Sequence, residues 1–460
     1  MLGHLVQVEV EELIAQRDWA GLREVLEGLA DPDVADIIVD LPAADEGIIF
    51  RLLPKDRAGN VFSYLPVEQQ AELVSSLSSD QTRDLLDAMT PDDRVHLLDD
   101  LPAEVTRRLL DSMSPQARAT TRQLLNYPAD TAGHVMTPEY VALRPGMTAA
   151  EALETIRRST RRAETLSVLY VVGDSGHLEF DMRLATLVKA DPNTLVGDLQ
   201  VNPLVTIPAR TSLSEVVQLF KKYDRVALPV VDDAGQMLGI ITVDDALDIS
   251  QEEDTETAQK MGGLEAIDTP YARTPFTVLL RKRGVWLSVL FLGEMLTATA
   301  MSHFEHEIQA AVVLALFIPL VISSGGNSGS QAATLIVRSL ALAELELRDW
   351  WRVLFRELGS GLLLGGWLGA IGFARVLLWQ YFGWNDFGDH AFKVAITVWI
   401  SLIGVVCVGT IAGSMLPFLL RRAKLDPATS SAPFVATLVD VAGLIIYFSV
   451  AAIILRGALL

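Results

Sequence analysis

Cysteine is nearly missing: the 460 residues hold one, Cys407. That excludes an internal disulfide and a thiolate metal cage. Basic charge is scarce as well, with 37 Lys and Arg against 58 Asp and Glu, a net charge of −21. Nucleic acid wants a basic face, so it is excluded as a partner, while cations are favoured. The opening stretch MLGHLVQVEVEELIAQ is acidic and amphipathic, so no signal peptide is expected there. Neither a phosphate-cradling G-x-x-x-x-G-K-[ST] nor a G-x-S-x-G nucleophile elbow occurs. ATP-driven pumping and covalent catalysis are therefore not expected.

The charge that is present is segregated. Residues 1–283 carry 47 acids and 27 bases, whereas residues 284–460 carry 11 and 10. The last part instead holds five apolar stretches of membrane-spanning length, near 284–302, 308–338, 354–381, 391–420 and 432–456. A fully soluble protein is excluded, and lipid becomes a partner. Basic clusters precede span one (Arg281, Lys282, Arg283), separate spans two and three (Arg338, Arg348, Arg352, Arg356) and separate spans four and five (Arg421, Arg422, Lys424). The alternate loops 302–307 and 381–391 contain no Lys or Arg. The clusters share one side, which predicts a cytoplasmic N-terminus and an outer C-terminus in a cell inner (plasma) membrane.

The first 130 residues repeat. Leu or Met followed by a turn or cap residue recurs every 12 positions, at Leu41-Pro42, Leu53-Pro54, Leu65-Pro66, Leu77-Ser78, Met89-Thr90, Leu101-Pro102 and Met113-Ser114. Each unit reads as a short helix with acids in its first turn, as in 91–101. Helices this short need stacked neighbours, so a solenoid is expected. From Thr131 the pattern becomes strand–helix–strand twice, with each Val-rich strand ending in an Asp-x-Gly turn. This duplication resembles a pair of CBS domains, a regulatory module that commonly binds adenosine nucleotides or ions. The second copy carries the fuller match, Gly239-Ile-Ile-Thr242-Val-Asp-Asp245, whose Thr242 and Asp245 the resemblance assigns to phosphate and ribose. The first copy, HLEFDMRL at 177–184, lacks that Gly and Thr. An acidic linker follows, helical over 250–261 and stopped at Gly262-Gly263.

Ionisable residues inside the spans are costly in hydrocarbon and so are functional candidates. Span one has Glu294 and span five has Asp440; Arg375 of span three lies near an end, where it can snorkel. Span two contains ISSGGNSGSQ at 322–331, which is unsuited to face lipid and fits close packing or a polar pathway. Thr437 and Asp440 share one helical stripe. Two copies of Asp440 facing across a symmetry axis would repel unless a divalent cation lay between them. Oxygen ligands alone suit Mg²⁺.

The overall plan, with PLVISSGGNSGSQAATLIVRSLA at 319–341 and LLRRAKLDPATSSAPFVATLVDVAGLIIYF at 419–448, resembles the MgtE family of magnesium channels. The expected fold is multidomain: an all-α helical-repeat domain (1–130), an α/β CBS pair (131–195 and 196–250), an acidic plug helix (251–283) and an α-helical transmembrane domain of five spans (284–460). The resemblance implies a homodimer whose second and fifth spans line a Mg²⁺ pore. Its pathway residues would be Asp440, Asn327, Thr437, Gly325 and Gly326, with Glu305 at the outer end. It also implies closure by cytoplasmic Mg²⁺ at Asp92, Asp93, Asp244, Asp245, Asp248, Glu253, Glu256 and Asp426. ATP is the nucleotide it offers at the CBS pair. Two other readings compete: a Mn²⁺ or Co²⁺ transporter of the same plan, and a membrane-anchored nucleotide or metal sensor.

Overall fold

The computed structural model describes residues 2–99, 101–159, 163–199, 203–267, 271, 274–310, 312–342, 344–385 and 387–456. Residues 268–270 and 272–273 of the expected linker lie outside them. The chain divides into two compact units, Met1–Glu252 and Glu253–Leu460.

The first unit opens with helices that keep the 12-residue register, among them Asp31–Asp40, Ala43–Leu52, Lys55–Ser63, Val67–Ser76, Ser79–Ala88, Pro91–Asp99, Ala103–Ser112 and Pro115–Leu125. The repeated Leu or Met has a structural reason. Leu41, Leu53, Met89 and Met113 are C-caps in extended conformation, and each drops its side chain into the core. The next residue, Pro, Ser or Thr, leads into the following helix; Ser78 and Ser114 accept the N–H of Gln81 and Ala117. Alternate helices stack on one another, so Lys55–Ser63 packs between Asp31–Asp40 and Ser79–Ala88. Buried Arg94 donates to the Leu86 and Met89 carbonyls at 3.1 and 3.0 Å and to Thr121 Oγ1 at 3.2 Å, satisfying the end of one helix from the next.

Two three-stranded sheets follow. Ala142–Leu143 runs parallel to Val168–Val172, which is antiparallel to Leu178–Arg183; the second sheet repeats this with Ile207–Pro208, Ala227–Val231 and Met237–Thr242. The copies exchange segments. Thr137 bridges Ile240 of the second sheet, and Ala132 and Met136 join that copy's core, whereas Val196 packs in the core of the first. The two hairpin turns bind each other: Leu178 N donates to Gly235 O at 3.2 Å and Met237 N to Gly176 O at 3.1 Å. Gly176 and Gly235 have φ of +81° and +77°, which explains the glycine of both Asp-x-Gly turns.

Among the described residues of the second unit, five helices are long and apolar enough to cross a membrane: Phe276–His303, Val312–Ala341, Leu347–Phe382, Gly388–Arg422 and Ala432–Ile454. Span two is interrupted, a 3₁₀ turn at Val312–Phe317 preceding the helix Ile318–Ala341 with Pro319 at its start. Spans two and four meet backbone to backbone. A methyl on Gly413 would lie 2.0 Å from Gly329 O, and one on Gly409 2.4 Å from Gly325 O. The Arg375 guanidinium sits 4.2 Å from the centre of the Trp379 ring, which satisfies it locally.

Candidate functional site

The small residues of span two bring span five close. A methyl on Gly326 would stand 3.3 Å from Ala436 Cβ and 3.6 Å from Asp440 Oδ1, and Ser330 Oγ donates to Ala432 O at 3.1 Å. Asp440 therefore projects along the face of span five that meets the polar segment of span two. Among the described residues no hydrogen bond or salt bridge reaches its half-buried carboxylate, and Glu294 of span one is the other acid within electrostatic reach. Thr437 donates its hydroxyl back to Pro433 O at 3.1 Å and packs towards Gly293 of span one. Gly325 is buried in the helix contact, whereas Asn327 is exposed and donates to Ser323 Oγ at 3.3 Å. Glu305 begins the short helix Glu305–Ala310, exposed, accepting from Gln309 Nε2 at 2.9 Å.

In the first unit, the acids expected to sense metal gather. Asp92 and Asp93 occupy the first turn of Pro91–Asp99; Asp244, Asp245 and Asp248 occupy the first turns of Val243–Met261. Burial pushes the Asp92 carboxyl well up, reinforced by Asp245, Asp93 and Glu164, and its Oδ1 is buried without a hydrogen-bond partner. Asp245 is raised to about 6 by burial, although its Oδ2 accepts the Thr242 hydroxyl at 2.5 Å and the Thr242 N–H at 3.1 Å. Asp248 is raised by burial and by Asp244. Glu164 was not among the expected residues, yet burial and the charges of Asp245, Asp93 and Asp244 lift it to about 7. Only its distance in sequence hid it. Arg94 acts on Asp92 and Asp93 and His96 on Asp248, yet the acids outnumber these bases, which suits a divalent ion. Among the described residues, however, no three His, Cys, Asp or Glu side chains form a ready-made metal cage.

Thr242 and Asp245 thus close the start of a helix, Thr242 as the residue before Val243 and Asp245 three positions on. In the first copy, Asp181 instead pairs with Arg225 of the second copy at 3.1 Å, both largely buried. A cavity of about 680 Å³ in the first copy is lined by residues that include Arg144, Arg158, Glu154 and Asp174, and Thr242 and Asp245 do not reach it.

The helix expected over 250–261 starts seven residues earlier, as a single element Val243–Met261, and the 251–283 segment is not one helix. That helix ends as foreseen: Leu264 N donates to Gln259 O and Gly263 adopts φ +74°. Glu253 is half-buried in its middle. Glu256 and Asp426, which the resemblance implied as regulatory Mg²⁺ sites, meet at one lysine. Both accept from one ammonium, Lys260 Nζ, at 2.7 and 2.6 Å. Burial works against that ammonium, but its bonds to Asp426 and Glu256 outweigh it and hold its pKa above the usual value. The sequence held no local sign of a contact spanning 166 residues.

Five apolar helices, following in sequence a helical solenoid and a doubled α/β module, fit a multi-pass membrane protein. Comparisons with known proteins show its family. Family models match as "Divalent cation transporter" over residues 318–450, "MgtE intracellular N domain" over 11–130 and "CBS domain" over 132–179 and 196–252. The magnesium transporter MgtE of Thermus thermophilus is 39% identical over 453 residues, 98% of each chain. That of Enterococcus faecalis is 31% identical over 336 residues, covering 73% of this chain and 71% of its own. A solved cytosolic domain of the Mg²⁺ channel MgtE in complex with ATP covers 53% of this chain and 99% of its own at 38% identity, with a TM-score of 0.50. The soluble part of a magnesium transporter, 24% identical with a TM-score of 0.52, covers 55% of this chain and 99% of its own and shares the fold. The chain belongs to the MgtE family, whose members are transporters and not enzymes.

Proposed function

We propose that the protein admits Mg²⁺ through a pore lined by spans two and five of a homodimer in the inner membrane. Asp440 carries the reading: a membrane-embedded carboxylate against the Gly326 face, with no hydrogen bond among the described residues. An ionised carboxylate at the bilayer centre costs about 3 kcal/mol. A cation passing between two copies offsets that cost, and largely retained water suits Mg²⁺. Gly325 and Gly326 let the helices approach, while Asn327 and Thr437 supply further oxygens and Glu305 attracts the ion from outside. The N-terminus is cytoplasmic, as the three basic clusters suggest. An anchored sensor has no use for the polar segment 323–331.

Domains 1–130, 131–195, 196–250, 251–283 and 284–460 divide the work. Mg²⁺ from the cytoplasm binds at Asp92, Asp93, Asp244, Asp245 and Asp248, with Glu253 further along the plug helix. Like charges repel in its absence and loosen the closed form. The orphaned Asp92 Oδ1 supports this, because a buried carboxylate oxygen with no donor needs a cation or a proton. ATP at the CBS pair is supported by the Gly239–Asp245 pattern and by the ATP held in the related cytosolic domain. Proteoliposome flux with Mg²⁺ indicator, internal Mg²⁺ titrated and Mn²⁺ or Co²⁺ competing, tests the reading. Mg²⁺ entry that falls as internal Mg²⁺ rises is expected; preferential Mn²⁺ or Co²⁺ entry would replace it with the competing transporter.

A further inference from the structure

Lys260 lies one turn after Glu256 on the plug helix and reaches Asp426, in the loop that leads into span five. Its side chain is one-quarter exposed, and two of its three N–H donors are engaged at 2.7 and 2.6 Å. Asp426 is itself held in place, because its Oδ1 accepts the Ala428 N–H at 2.9 Å. Three residues beyond Lys260, the helix end seats on the same region. Any side chain on Gly263 would meet the Trp286 indole of span one at 2.7 Å and Pro433 of span five at 3.3 Å. The linker is fastened again where Gln259 Oε1 accepts the Ile267 N–H at 2.6 Å. The helix end thus rests on the base of the span that carries Asp440.

Two carboxylates drawn to one point need a cation, and here the chain supplies its own. Mg²⁺ placed between the same oxygens would meet the ammonium at close range and be repelled. We propose that Lys260 is a tethered cation that latches the plug helix to the start of span five, taking the place of a divalent ion between Glu256 and Asp426. The latch contributes to closure at any Mg²⁺ concentration, and the Mg²⁺-dependent part of closure falls to the other acids. This rests on the reading of the chain as a channel closed from the cytoplasmic side.

The test uses the full chain, in two assays. In metal-free detergent solution, Lys260→Gln speeds hydrogen exchange over residues 253–264 about fivefold, the scale of a partly exposed ion-pair network. Exchange over 318–341 stays as it was. Adding Mg²⁺ to this variant restores protection, because the vacated carboxylates now accept the ion, and the double change Lys260→Asp with Asp426→Lys restores it without metal. In liposomes, Lys260→Gln raises Mg²⁺ entry at low internal Mg²⁺ and makes closure more dependent on Mg²⁺. Unchanged exchange in Lys260→Gln, or no rescue by the charge reversal, overturns the latch. A wild type that admits no Mg²⁺ sinks the channel reading while the exchange assay still decides the latch.

Discussion

Burial sets the chemistry of single residues among the clustered acids of the first unit. Glu164 and Asp245 titrate near 7 and near 6, above their ordinary values of 4.5 and 3.8. Between those limits the folded protein binds more protons than the unfolded chain, so stability falls as pH rises through the window and levels off above about pH 7. The first thermal transition of the metal-free full chain should therefore move up as pH is lowered from 7.5 to 5.5. Glu164→Gln should flatten that dependence, and saturating Mg²⁺ should do the same by keeping the carboxylates ionised. A transition that moves down over this range would contradict the account. Asp92, Asp93, Asp244, Asp245 and Asp248 could be named through the resemblance to the MgtE family. Glu164 could not, because it joins them only through the folding of the CBS pair.

The contact of spans two and four depends on having no side chain at the crossing. Gly413→Ala forces a methyl to 2.0 Å from the Gly329 carbonyl oxygen, whereas Gly359→Ala of span three meets nothing within 4 Å. Overpacking of this kind costs about 1–3 kcal/mol. A lowered thermal transition of the solubilised protein is expected for Gly413→Ala and none for Gly359→Ala. In the solenoid, Arg94→Met removes the donor to the Leu86 and Met89 carbonyls, and two orphaned acceptors make a loss of about 2 kcal/mol the expected result by chemical denaturation. Both element types were legible beforehand, since a 12-residue period and a 20-residue apolar run are local signals. The exchange of segments between the CBS copies was not, because Thr137 pairs with Ile240 across a hundred residues and nothing in either short stretch names its partner.

For the whole molecule, the proposed closure is the sum of acids that need a cation and a lysine that brings one. A chain lacking residues 1–130 should still admit Mg²⁺ but lose much of its inhibition by internal Mg²⁺, because Asp92 and Asp93 are gone while Lys260 remains. Retained full inhibition would move the sensor out of the solenoid. The proposed pore turns on Asp440. Asn matches its shape without its charge, so Asp440→Asn in proteoliposomes, with an unshifted thermal transition as proof of folding, is the most direct measurement. Abolished Mg²⁺ entry is predicted; entry at the wild-type rate would contradict the account.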